Sequence, residues 1–332
     1  MFVTQILVTG ANGEIGHALI RKLASEGASI VALDLHDIDA TLSGFCAESY
    51  RGDVRDAEVL GEIGRHHRFS AIYHMASLLS TSGERDPELA HEVNVNGSFN
   101  IMKLARAQSG LRGERTKLIF TSSIAVYGLR AGDLRTRPLT EREFLTPCTM
   151  YGINKLYVEQ MGRYFSEYYK IREGEVPIDF RCLRFPGLIS SETLPSGGTT
   201  DYGPEMLHAA AQGKPYRCFV RESTRLPFMV MDDAVRALTR LAGAPRSALR
   251  HQVYNVTSFS VTAGEIKALI ETSFPQADIQ FEVSANRQAI VDSWPENVDD
   301  SPARAEWGWA PEYSFERAFR DLLIPKVMAR YS

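Results

Sequence analysis

Tyr151 and Lys155 stand four residues apart in Tyr151-Gly152-Ile153-Asn154-Lys155. On a helix, positions i and i+4 share a face, so a phenol and an ammonium would point the same way. A phenol ionises near pH 10, about three units too high for a base at neutrality, and a neighbouring ammonium favours the phenolate. The pair is therefore a candidate general base with its tuning cation. Upstream, Thr121-Ser122-Ser123 closes a β-branched run and is followed by Val126-Tyr127-Gly128. A hydroxyl at the carboxyl end of a strand can meet both the Tyr151 phenol and a substrate oxygen, and Ser123 is the residue placed for it. The catalytic candidates are thus Tyr151, Lys155 and Ser123; turn or capping duty is the alternative for the serine.

A second cluster is Thr9-Gly10-Ala11-Asn12-Gly13-Glu14-Ile15-Gly16, between a predicted strand and a predicted helix. Gly10 permits a tight turn, Gly13 lets the backbone approach a pyrophosphate, and Gly16 lets helix and strand pack closely. The helix start at Glu14 and Ile15 offers N–H groups and a positive dipole end to that anion, with Asn12 in the same turn. Glycines alone could be turn punctuation, but Asp34, followed by Leu35, lies about twenty residues on at the next strand end, where a carboxylate accepts both ribose hydroxyls. It repels a ribose phosphate, so the expected cofactor is NAD and not NADP. Asp53-Val54, after the third strand, is placed to reach the adenine, although a helix-start carboxylate near Asp56 is an equally physical use of that segment. With NAD bound, the nicotinamide charge would favour the Tyr151 phenolate further, and Lys155 could hydrogen-bond the nicotinamide ribose.

These residues need a frame that presents strand ends. Up to about residue 185, short β-branched runs alternate with amphipathic stretches, the signature of a parallel sheet covered by helices. Six strands are expected: Gln5–Thr9, Ser29–Leu33, Glu48–Gly52, Ala71–His74, Lys117–Thr121 and Ile178–Arg184. The helices between them include Gly13–Glu26, Asp56–Arg65, Pro87–Gln108 and Met150–Tyr169. Right-handed crossovers would wind them onto both faces, giving an α/β, doubly wound Rossmann sheet. From Phe185 on, Pro186-Gly187, Pro195-Ser196-Gly197-Gly198 and Pro204 mark a looped segment and then shorter elements, a smaller α/β lobe. Its expected helices are Tyr202–Gln212, Asp232–Ala242, Ala263–Ser273, Pro302–Trp307 and Phe315–Ala329. The expected domains are 1–185 for the cofactor and 186–332 for substrate, with some later segments returning to the first. A chain of 332 residues ordinarily splits into lobes, and a ligand sits in the cleft between them.

Composition narrows the partners. The sequence is 44% hydrophobic and 23% charged, with net charge −4, ordinary for a globular protein. With no basic block beyond the interrupted stretch Arg130–Arg142, nucleic acid is not an expected partner, and no apolar run suits a membrane span. The four cysteines, Cys46, Cys148, Cys182 and Cys218, are too scattered for a disulfide framework or thiolate metal site, which suggests a reducing cytoplasm. His66-His67 lack the spacing of a helical metal pair and His74 ends a strand, so no metal is expected. Trp294, Trp307 and Trp309 are expected in the core or at the lobe interface.

In this order, the glycine pattern, Asp34, Asp53, Asn94-Val95-Asn96-Gly97, Ser123, Tyr151 and Lys155 resemble the extended short-chain dehydrogenase/reductase superfamily, which also holds nucleotide-sugar epimerases and dehydratases. Within it, the residues from Phe180 to Ser190, Gly197-Gly198-Thr199-Thr200-Asp201-Tyr202, Thr224 to Pro227, Arg287 to Ile290, Ser293-Trp294-Pro295 and Asp300 to Trp309 resemble the short-chain L-threonine 3-dehydrogenases. Ser77-Leu78-Leu79-Ser80 with Gly83-Glu84 belongs to the same resemblance. It implies an NAD-dependent enzyme in which Tyr151 takes the proton of the threonine C3 hydroxyl while hydride leaves C3, giving 2-amino-3-oxobutanoate and NADH. Ser123 would hold the reacting hydroxyl and Leu188 would lie beside the nicotinamide. Ser80, Thr199, Thr200 and Asp201 would line the amino-acid end, Asp201 facing the ammonium unless it only caps the helix at Tyr202. The stretches Ser109–Thr116 and Arg172–Val176 look longer than in those enzymes and are expected to be surface loops.

Two rivals follow from the same residues. A nucleotide-sugar epimerase or dehydratase would reoxidise its own NADH, but it would carry Arg-Asp-aromatic where this chain has Arg225-Leu226-Pro227 and Arg-x-Gly-Asp at Arg287-Gln288-Ala289-Ile290. A non-catalytic NAD-binding protein would have no need of Ser123, Tyr151 and Lys155 together. Related enzymes pair the helices equivalent to Pro87–Gln108 and Met150–Tyr169, so a homodimer is expected.

Overall fold

A computed structural model of the chain describes residues 5–133, 137–169, 175–195 and 198–332. Ser196 and Gly197 of the looped segment, residues 172–174 of the longer stretch Arg172–Val176, and residues 134–136 of the basic stretch lie outside the described residues. Contacts divide the chain into two compact units, one of residues 1–123, 150–184 and 235–254, the other of 124–149, 185–234 and 255–332.

The first unit is built on a seven-stranded sheet. Its strands are β1 (Gln5–Thr9), β2 (Ile30–Asp34), β3 (Glu48–Arg51), β4 (Phe69–His74), β5 (Lys117–Ser123) and β6 (Asp179–Phe185), with a three-residue strand at Val253–Asn255 on one edge. From that edge the order runs through β6, β5, β4, β1 and β2 to β3, and the pairings from β3 to β5 are parallel. This is the doubly wound Rossmann arrangement, reversing direction at β1 and β4. Apolar, β-branched runs serve because such strands are covered on both faces: Ile30 to Leu33 are fully buried. The core gathers Leu7, Val31, Leu33, Phe69, Ile72, Leu118, Phe120 and Phe180 with Ile101, Met102 and Val158 from the helices. The edge strand went unpredicted because three residues carry no periodicity; its place is set by Cys182 N–H donating to Gln252 O at 2.7 Å.

Two helices of the first unit expected to be regular are not. Pro87–His91 passes through a π-turn at Glu92–Gly97 into Ser98–Arg112, and Met150–Arg163 ends in a π-turn at Tyr164–Tyr168. At the first, a Cβ on Gly97 would come within 2.7 Å of Val54 Cγ2, so the backbone itself abuts the loop after β3. π-turns of this kind concentrate near functional sites.

The second unit holds a three-stranded sheet in which β9 (Arg225–Val230) lies between β7 (Gly187–Ile189), parallel, and β11 (Phe259–Thr262), antiparallel, counting the edge strand as β10. A parallel pair, β8 (Tyr216–Cys218) with β12 (Ile279–Phe281), stands beside it in sequence. Its helices include Tyr202–Ala211, Ala263–Ser273, Ala285–Asp292 and Ser301–Trp307. Thr262 and Glu265 form a reciprocal capping box at Ala263. Trp294 and Trp309 are buried as expected, and Trp309 donates its indole N–H to Asp300 at 3.0 Å. Among the described residues no helix is long and apolar enough to cross a membrane.

Candidate active site

The glycine turn follows β1 directly. Gly10 has φ +67°, a conformation that L side chains rarely adopt, and a Cβ there would lie 2.6 Å from Ala76 N. A Cβ on Gly16 would lie 2.2 Å from Gly10 O, so only glycine lets the helix start this close to the strand. Helix Glu14–Ser25 opens with Gly13 as its N-cap and no side-chain cap, leaving its positive end to face an anion. Asp34 ends β2, and its carboxylate accepts the Asn12 N–H at 3.0 Å and the His36 N–H at 3.1 Å. Asn12 in turn donates its amide to Asp37 O and accepts the Asp39 N–H, which ties the turn to the loop beyond β2. Leu35, 56% exposed, offers an apolar surface beside that carboxylate. Such a cradle, with a hydroxyl-reading acid at its rim, fits a dinucleotide. The alternative use of Asp53 falls to another residue: Asp56 caps helix Ala57–His66, while Asp53 pairs with Arg55 at 2.6 Å. That guanidinium holds the Asp53 carboxyl below its ordinary value. Val54 is buried.

Helix Met150–Arg163 brings Tyr151 and Lys155 to the end of β5. A hydrogen bond joins the Ser123 hydroxyl to the Tyr151 phenol, so the three candidates do meet. Burial pushes the phenol well above its ordinary value and the Ser123 bond pulls it back only in part. Tyr151 still keeps some solvent exposure. Lys155 is 3% exposed and donates to Thr121 O at 2.8 Å, with its ammonium 5.3 Å from the Tyr151 ring centre. Burial draws the ammonium down to about 8, opposed by Cys182 and Glu159. A cation beside the phenol is what an unassisted tyrosine lacks as a base.

Several supporting residues escaped the sequence reading. His74, regarded there only as a strand end, accepts or donates across a buried chain: Thr9 Oγ1 lies 2.7 Å from one ring nitrogen and Ser98 Oγ 2.9 Å from the other. Burial takes His74 down to about 3, so it is a neutral linker between β1, β4 and the π-turn. Ser98 donates to Asn94 O, and the Asn94 side chain clamps Leu78 by accepting its N–H and donating to its carbonyl. Glu84, in helix Ser80–Arg85, accepts the Met150 N–H at 2.7 Å and so caps the catalytic helix from outside. That helix also carries Ser80, which is buried, and its Gly83 sits against Tyr151. The register Thr9 opposite His74 was implicit in the aligned strand ends, but nothing in spacing reports a contact between residues so distant in sequence.

The other predicted residues belong to the second unit. Leu188 is the middle residue of β7 and half-buried. Thr199 is buried, Thr200 partly so, and Asp201 occupies the N-cap position of helix Tyr202–Ala211 without making a side-chain cap bond. Its carboxylate instead accepts the Gly198 N–H at 2.7 Å. Arg287 donates to Gly198 O at 3.0 Å and lies over the Phe219 ring, while Arg225 pairs with Glu265 at 2.9 Å and donates to Ser260 O. The described residues contain no group of three or more His, Cys, Asp or Glu able to hold a metal ion.

The NAD dependent epimerase/dehydratase family model matches residues 6–257. A mitochondrial L-threonine 3-dehydrogenase of Sus scrofa is 35% identical over 324 residues, 96% of this chain and 82% of that one. Among solved structures, a monomeric L-threonine 3-dehydrogenase from a metagenome, in its apo form, superposes with a TM-score of 0.87 at 36% identity, covering 99% of this chain and 100% of the other. The holo form of a GalE-like L-threonine dehydrogenase from Cupriavidus necator gives 0.84 at 33%, with 99% and 100% covered.

Proposed function

This chain belongs to the NAD dependent epimerase/dehydratase family, and on that premise we propose that it oxidises the C3 hydroxyl of L-threonine to 2-amino-3-oxobutanoate with NAD. Full-length similarity to L-threonine 3-dehydrogenases carries the choice of substrate. The meeting of Tyr151, Lys155 and Ser123 supports the chemistry. NAD would be held by the Gly10 to Gly16 turn at its pyrophosphate, by Asp34 at the adenosine ribose and by Asp53-Val54 near the adenine. When bound, it supplies the acceptor for the hydride on C3. Ser123 hydrogen-bonds the C3 hydroxyl and orients it to Tyr151. Tyr151 takes the hydroxyl proton as its phenolate, which burial disfavours and which the Ser123 hydrogen bond, the Lys155 ammonium and the nicotinamide charge of bound NAD would favour. His74, kept neutral, passes no charge and fixes the geometry of β1 and β4.

The first unit is assigned to the cofactor and the second to recognition of the amino acid, through Thr199, Thr200 and Asp201. A zwitterion needs both charges met, since an unpaired buried charge is costly. A diphosphate-bearing sugar finds less support, because Arg225 and Arg287 are already engaged by Glu265 and by Phe219 with Gly198. Four free cysteines among the described residues suit a reducing compartment, and the cytoplasm is the one assigned. Ile153, Tyr157, Tyr164 and Tyr168, all more than 40% exposed on one helix and its π-turn, support a homodimer through that face.

The test is NADH absorbance with NAD and, in turn, L-threonine, L-serine and L-allo-threonine, with conversion of nucleotide sugars, whose epimerases return the hydride, followed by chromatography of the sugar. Signal with L-threonine is expected; silence there, with turnover of a nucleotide sugar, would overturn the reading.

A further inference from the structure

Behind the catalytic pair lies a buried ion pair that the mechanism above does not use. Glu159, one helical turn beyond Lys155, has no exposed surface, and Arg184 on β6 is 2% exposed. The guanidinium grips the carboxylate at two points, Nε to Oε1 at 2.9 Å and Nη2 to Oε2 at 2.6 Å. Ser122 Oγ donates to the same Oε1 at 2.5 Å. One helix therefore holds two successive residues of β5, Ser122 through Glu159 and Ser123 through Tyr151. Desolvating two charges costs several kcal/mol per ion, and apolar residues of the same volume often serve stability as well, so stability alone is a weak reason for this pair.

We propose that Glu159 is a positioning residue for the catalytic pair: through Ser122 it fixes the end of β5 so that Ser123 faces Tyr151, and its charge keeps Lys155 an ammonium. The groups facing Lys155 support the second part. From its own helix come Tyr151 and Glu159, from β4 the neutral His74, from β5 the Phe120 ring and Thr121 carbonyl, and from β6 Cys182, with Arg184 held on Glu159. Burial holds the Cys182 thiol protonated. Glu84, Glu88, His91 and Glu92, on the segments packed against this helix, are exposed, which leaves Glu159 the buried anion of the group.

The proposal rests on the threonine reading only for its kinetic arm. In the protein without cofactor, 13Cε-lysine NMR, with the Lys155 signal identified by its loss in Lys155→Met, reads the ammonium directly. Glu159→Gln keeps shape and an acceptor for Ser122 but removes the anion one helical turn from Lys155, so Lys155 should release its proton about one unit lower in pH. An unmoved midpoint in Glu159→Gln would overturn the charge role. Ser122→Ala removes one hydroxyl from an otherwise intact core and should lower kcat about threefold to tenfold at unchanged KM, with the Lys155 midpoint unmoved. A wild-type kcat in that variant would overturn the positioning role, and it remains informative if Glu159→Gln fails to fold. Failure of the threonine reading is separate: wild type itself would then show no turnover while the NMR midpoints still report on Glu159.

Discussion

Around the strand ends of the first unit, ionisable side chains are buried and paired: His74, Lys155, Glu159 and Arg184 are each 3% exposed or less. In the second unit, the charged groups that could read a ligand, Asp201, Arg225 and Arg287, reach solvent and are tied to their own loops and strands. Burial raises the strength of every electrostatic interaction and the cost of every unpaired one. The first arrangement therefore suits proton transfer at fixed positions, and the second suits recognition by shape with a single charge contributed by Asp201. The contrast predicts that substitutions of these buried groups act on rate and stability, while those of the solvent-reaching groups in the second unit act on KM.

The largest expected effect is Tyr151→Phe, which should lower kcat by about 10²- to 10⁴-fold while leaving NAD affinity, measured by calorimetry, within a few-fold. Full turnover would remove Tyr151 as the base. Next comes the cost of burying Lys155. Its ammonium titrates at about 8 in the fold against 10.5 ordinarily. Below the folded value both states are protonated and the penalty is fully present. As pH rises through 8 toward 10.5 the unfolded chain alone keeps the proton, so this group should make the fold more stable by about 3 kcal/mol. Urea unfolding of wild type and Lys155→Met at both ends of that window should show the gap between them changing by about that amount, and a constant gap would contradict it.

Asp34→Ala should weaken NAD about tenfold to a hundredfold and reduce the preference over NADP, as lost hydrogen bonds to a charged acceptor imply. Equal NAD binding by calorimetry would separate Asp34 from the ribose. The smallest effect tests the second unit. Asp201→Asn keeps an acceptor for Gly198 and removes only the charge, so KM for threonine should rise about tenfold with kcat nearly unchanged. A fall in kcat with KM unmoved would erase the division of labour between the units.

What could be read from sequence was local. The Gly10 to Gly16 turn, Asp34 at a strand end, and Tyr151 with Lys155 on one helix face each follow from spacing within a single element, and each stands where the spacing put it. The supports depend on contacts between elements distant in the chain. Thr9 and His74 are 65 residues apart, and Met150 and Glu84 66. Glu159 could have been suspected from its place one turn after Lys155, but its partners Ser122 and Arg184 come from two different strands. The π-turn at Glu92–Gly97 was hidden for another reason: the helix is regular on either side of it, and no residue type marks a single widened turn.

The central claim, hydride removal from C3 with Tyr151 as base, is tested most directly by incubating the protein with L-threonine deuterated at C3 and NAD, and weighing the reduced cofactor by mass spectrometry. One deuterium per reduced cofactor is expected with wild type, and almost no reduced cofactor with Tyr151→Phe. Unlabelled NADH, or equal labelled product from the Tyr151→Phe variant, would contradict the account.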